Sequence, residues 1–168
     1  MTAPADDLAA IGRTLEQAYT QIQHTRMRGL PIVNPALRVA LVGLLPWDGL
    51  CIGVLVTPWC MNLLALSLPG GRALLPATAG TTRTLYLPAG RYDLLAAHLP
   101  QIGHHLSGSL YSPMDAFTSQ GEAVTAARAA LDLLFDTGAQ APAEAVPSGA
   151  VATDVASRRS FLFRRPAR

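Results

Sequence analysis

Apolar residues recur at Leu8, Ile11, Leu15, Tyr19 and Ile22, at spacings of three and four. That period is helical. Asp6 or Asp7 stands where an N-cap belongs, and Arg26, Arg28 and Gly29 follow the last turn. Leu30–Pro35 carries two prolines and reads as a linker. The pattern then changes to apolar runs. Val39–Leu45 is interrupted by Pro46-Trp47-Asp48-Gly49 and resumed by Leu50–Thr57. Proline sets φ and glycine admits positive φ, so the interruption predicts a turn between strands near Arg38–Leu45 and Leu50–Thr57. A strand or short helix follows near Met61–Leu68, and Pro69-Gly70-Gly71 ends the block. Arg72–Pro76 and Thr82–Leu87 predict short strands. Pro88-Ala89-Gly90 predicts a second hairpin turn, with Arg91–Ala97 returning and His105–Tyr111 as a further strand. Ser119 with Glu122 three residues later fits a capping box. Val124, Ala127, Leu131, Leu134 and Phe135 then form one helical stripe.

The order is helix, strands, helix. The connections are short, and parallel strands need crossovers of about a dozen residues, so the pairing is antiparallel. The expected fold is α+β: a two-layer sandwich, mainly antiparallel, flanked by an N-terminal and a C-terminal helix. Residues 1–136 are expected to form one domain. From Thr137 the composition shifts to Ala, Pro, Gly and Ser, predicting a mobile tail over 137–168 with an Arg-rich end.

Composition narrows the class. The chain has 168 residues, half of them hydrophobic and 14% charged. Soluble domains average roughly 25% charged residues. Disorder needs the opposite balance, and two cysteines cannot build a disulfide framework. Gly49–Leu68 is uncharged and long enough for a bilayer helix. Yet Pro58 sits mid-span and Asn62 follows, while glycine and valine favour strands. No stable membrane insertion is expected. The N-terminus is acidic and lacks an early apolar stretch, so the expected address is the cytoplasm. The net charge of +2 is uneven: residues 157–168 hold five Arg and no acid, leaving −3 on the remainder. All the basic residues are Arg, and they gather in the tail rather than on a folded motif, so nucleic acid is not an expected partner.

Reaction motifs are scarce. Pro69-Gly70-Gly71 lacks the lysine of a phosphate loop. Ser107-Gly108-Ser109 lacks the glycine before a nucleophile elbow. No enzyme activity and no cofactor are expected. Cys51, Cys60, His98, His104 and His105 are potential metal ligands, but no Cys-x-x-Cys exists. Adjacent His104 and His105 would point to opposite faces of a strand. No metal site is expected. Two apolar motifs stand out: Thr57-Pro58-Trp59-Cys60-Met61 and Ser112-Pro113-Met114-Asp115-Ala116-Phe117. Each sets a proline beside a methionine and an aromatic at a strand end. Such residues either close the core or form an adaptable rim. On the second reading Pro58, Trp59, Met61, Pro113, Met114 and Phe117 would hold an apolar segment of a partner.

These motifs carry a family resemblance. Gly53–Leu63, Leu87-Pro88-Ala89-Gly90, Ser109–Met114 and Arg158–Phe163 together resemble the HybE family of nickel–iron hydrogenase accessory proteins, also known as HupJ- or HoxT-like. The resemblance implies a non-catalytic cytoplasmic chaperone. It would assist maturation of an uptake or membrane-bound hydrogenase. Its partners would be the small-subunit precursor, whose twin-arginine export it would delay until cofactors are inserted, and other accessory proteins. The alternative within the family's work is metal, iron–sulfur or oxygen-protection handling through Cys51 and Cys60. Relatives often carry Cys where this chain has Gly108, and some carry an appended rubredoxin that two cysteines cannot build. Ser157-Arg158-Arg159-Ser160-Phe161-Leu162 also resembles a twin-arginine motif, at the C-terminal end and with no apolar segment after it. Arg158, Arg159, Phe161 and Leu162 are therefore further partner-binding candidates, as a mimic of the client's signal.

Overall fold

A computed structural model describes residues 5–138. Helix α1 spans Ala5–His24. Strands follow as β1 Ala40–Trp47, β2 Leu50–Val56, β3 Met61–Ser67, β4 Thr82–Leu87, β5 Gly90–Leu99 and β6 Gly103–Tyr111, and helix α2 spans Gln120–Phe135. The strands form one sheet in the order β1-β2-β3-β6-β5-β4, every pair antiparallel. The α+β class, the antiparallel sheet and the flanking helices agree with the sequence reading.

The layering differs from it. Alternate residues of β2 enter separate cores. Ile52, Val54 and Val56 join Ala123, Ala127, Leu131 and Leu134 of α2. Cys51 and Leu55 join Leu15 of α1. The helices therefore cover opposite faces, making three layers instead of two. The cause lies in β2 itself, buried at every residue from Leu50 to Val56. An uninterrupted apolar strand needs cover on both sides.

Other differences have local causes. Strand β1 continues through Pro46 and Trp47, so the turn is only Asp48-Gly49, both at positive φ (49° and 73°). Such a pair matches the twist of a tight hairpin. Pro46 is tolerated because β1 is an edge strand, where a missing N–H breaks no ladder bond. Arg72–Pro76 forms no strand. Arg72 N–H binds Gly49 O at 2.7 Å, its guanidinium meets Asp48 at 3.2 Å, and Leu74 N–H binds Ser67 Oγ. The segment is held against the first hairpin instead of pairing. Met61–Ser67 is a strand throughout.

The sheet is strongly curved. Trp47 Nε1 on β1 donates to Tyr86 O on β4 at 2.9 Å. These are the two edges of the sheet, which would lie about 24 Å apart if it were flat. The sheet thus wraps around α2, and Trp47 also stacks edge-on against Phe135 at 5.4 Å. Ser119 caps α2, its Oγ accepting from Glu122 N–H at 3.2 Å. The Glu122 carboxylate reaches back to Thr118 N–H at 2.8 Å, which holds its pKa below the usual range.

Candidate functional site

The two apolar motifs leave neighbouring strands at one end of the sheet. Met61 pairs with Tyr111, so the loop before β3 and the loop after β6 emerge side by side. Thr57, fully buried, closes the first loop. Its Oγ1 donates to Cys60 O at 2.8 Å and accepts from Cys60 N–H at 2.9 Å and Trp59 N–H at 3.3 Å. The second loop folds on itself through Phe117 N–H to Met114 O, with Phe117 edge-on to Tyr111 at 5.3 Å.

Asn34 ties the loops together. Its N–H donates to Pro58 O at 2.8 Å, and its Nδ2 donates to Met114 O at 3.0 Å and Phe117 O at 2.8 Å. Its Oδ1 accepts from Ala36 N–H at 3.0 Å. A linker residue therefore fixes both motifs. The turn just before it, closed by Val33 N–H on Leu30 O, leaves Leu30 and Ile32 44% and 43% exposed. Sequence reasoning missed these three residues. The Asn-Pro step at Asn34-Pro35 was the available signal, because asparagine side chains readily bond to nearby backbone.

The motif residues divide. Met61 and Met114 are fully buried among the α2-side core, so they close the core and present nothing to a partner. Pro58 is also buried, its carbonyl engaged by Asn34. Trp59 and Phe117 are half-buried and Pro113 is exposed. Trp59, Phe117 and Pro113 are thus the motif residues that reach the surface, and Leu30 and Ile32 stand exposed on the turn that leads into Asn34. Arg158, Arg159, Phe161 and Leu162 lie outside the described residues.

The two thiols differ in exposure: Cys51 is buried and Cys60 half-buried. Burial pushes the Cys51 thiol up to about 11, and Cys51 packs in the α1-side core. Burial also raises Cys60, with hydrogen bonds from Thr57 and Asn62 opposing it in part. Burial thus favours the protonated thiol at both positions. Among the described residues no group of three or more His, Cys, Asp or Glu could hold a metal ion. No helix among them is long and apolar enough to cross a membrane. Gly108 faces the core, where a Cβ would collide with Leu94 Cδ2. A side chain there needs Leu94 to move.

A three-layer α+β sandwich with apolar residues on two joined loops is the class these features define. Comparison with known proteins places it further. Residues 10–164 match the family described as "[NiFe]-hydrogenase assembly, chaperone, HybE", and the chain belongs to that family. It is 38% identical over 160 residues to the hydrogenase expression/formation protein HupJ of Bradyrhizobium diazoefficiens, covering 95% of this chain and 90% of HupJ. It is 41% identical over 155 residues to the hydrogenase expression/formation protein HoxT of Azotobacter vinelandii, covering 92% and 95%. The solution structure of HybE from Escherichia coli shares the fold, with a TM-score of 0.62 at 19% identity over 90% of this chain and 88% of that one. The protein is a hydrogenase maturation accessory protein of the HybE type.

Proposed function

We propose that this protein works in the cytoplasm as a non-catalytic chaperone. It binds the small-subunit precursor of an uptake or membrane-bound [NiFe]-hydrogenase and delays twin-arginine export until cofactors are inserted. The observation that carries this reading is the joined loop surface. Asn34 fixes both loops, which carry Trp59, Phe117 and Pro113 at the surface, and exposed Leu30 and Ile32 precede Asn34 in the chain. A fixed apolar patch with an aromatic anchor suits an apolar segment of a client. Met61, Met114 and Pro58 are buried beneath the loops, Pro58 held through its carbonyl by Asn34. Arg158, Arg159, Phe161 and Leu162 add polar and apolar anchors from the tail. Membership of an assembly-chaperone family supports the same reading.

The export step is tested in cells expressing the hydrogenase. Without this chain, small subunit lacking its cofactors should appear across the membrane. Undiminished retention of cofactor-free subunit in its absence contradicts the proposal.

A further inference from the structure

Strands β5 and β6 are joined by Pro100–Ile102, with Ile102 N–H on Leu99 O at 3.1 Å and Gly103 at φ 81°. A three-residue loop followed by a left-handed residue fixes hairpin register. That register sets His98 directly opposite His104. Their ring centroids are 4.6 Å apart, with planes at 53°. His98 is exposed and His104 half-buried. Among the described residues neither imidazole has a hydrogen-bond partner.

We propose that His98 and His104 form a two-point site for a late first-row divalent transition ion, of which Cu2+ and Ni2+ are the best fit. The spacing argues for them. Metal–nitrogen bonds are about 2.0–2.1 Å, and an imidazole centre lies about 1.1–1.2 Å behind its nitrogen. Two imidazoles in cis positions, at 90°, then have centres about 4.6 Å apart, and at the tetrahedral angle about 5.3 Å. The observed separation of 4.6 Å admits the cis arrangement once a nitrogen of each ring faces the other. Tetragonal nitrogen and oxygen sites suit Cu2+ and Ni2+. Exposed His98 can turn about its broad terminal torsion to present a nitrogen toward half-buried His104.

His105 stays out of this site. It lies on the opposite face, 1% exposed, with Nδ1 on Gly103 O at 3.0 Å. Two protein ligands leave the other positions to water or to a donor from a partner, so the ion exchanges readily. The site is separate from client binding. His104 and the Tyr111 end of β6 are about 23 Å apart along the strand, so either proposal can fail alone.

The test titrates the untagged full chain with CuCl2 and with NiCl2, by calorimetry and by paramagnetic broadening of amide signals. The expected result is one ion per chain, with Cu2+ tighter than Ni2+ and broadening centred on residues 97–105. His98→Gln and His104→Gln should each weaken binding about tenfold or more, and the double variant little further, because a lone imidazole does not chelate. His24→Gln should leave affinity unchanged. Melting temperatures of the metal-free variants check the fold. Absence of binding, binding that survives the double variant, or broadening centred elsewhere overturns the proposal.

Discussion

Trp59 and Met114 belong to motifs of similar make-up, yet they do different work. Trp59 is half-buried at the surface and Met114 is fully buried against α2. Met114→Ala should cost about 2–5 kcal/mol of stability, as core methionine truncations do, while the folded fraction still binds client. Trp59→Ala should leave the melting temperature nearly unchanged and weaken client binding about tenfold. Thermal denaturation and binding measured on the same samples separate the two. Sequence could not make this division. A bulge between Met61 and Asn62 leaves Leu110 extra and turns Tyr111 to the same side as Met61. Bulges leave little trace in periodicity.

His105 makes a second prediction at this scale. A carbonyl only accepts, so the bond to Gly103 O places the proton on Nδ1 and leaves buried Nε2 without a partner. Burial lowers the His105 pKa, and the neighbouring His98 and His104 lower it further, against the bond to Gly103. With the folded pKa below the unfolded value, the unfolded chain binds the proton more readily. Stability is therefore intact above the ordinary histidine pKa of about 6.5 and falls as pH drops below it. His105→Gln should flatten the melting temperature between pH 7.5 and 5.5. An unchanged slope would place the titration elsewhere.

At the scale of elements, α2 is the clearest case of agreement. Its cap, its stripe and its first turn were all legible, because each depends on residues within four positions. Ser119→Ala should cost about 1 kcal/mol, read by chemical denaturation. The seat of α2 was not legible. Gly43 lies at a register shift in β1 with φ 61°, and a Cβ there would stand 2.5 Å from Leu131 Cδ2. Gly43→Ala combines left-handed strain of about 1–2 kcal/mol with overpacking of about 1–3 kcal/mol. It should be among the most damaging single-methyl additions, and a neutral denaturation midpoint would contradict that packing. The sequence showed Gly43 only as one residue within an apolar run. The continuous run Leu50–Val56 did carry the signal for cover on both faces.

At the scale of the molecule, β1 and β4 are the edges of the sheet. Along β1, Glu16 Oε1 accepts from Leu41 N–H at 2.8 Å and Pro46 has no N–H to offer, so that edge is blunted. The curvature brings β1 and β4 together at Trp47 and encloses α2. The apolar excess of the chain is thereby spent on two cores, and a small remainder surfaces where the loops meet. The uncharged Gly49–Leu68 stretch is explained by β2 and β3 at the centre of the sheet. That much followed from prolines, glycines and turn residues. The junction made by Asn34 did not, since it joins residues eighty and more positions apart.

The loop surface as client contact is the central claim. The most direct test is the affinity of the purified chain for the hydrogenase small subunit, with and without its signal peptide, by calorimetry. The precursor should bind, removal of the signal should weaken it about tenfold or more, and Trp59→Ala should weaken precursor binding to a similar degree. Equal affinity for both forms, or full affinity in Trp59→Ala, would contradict the account.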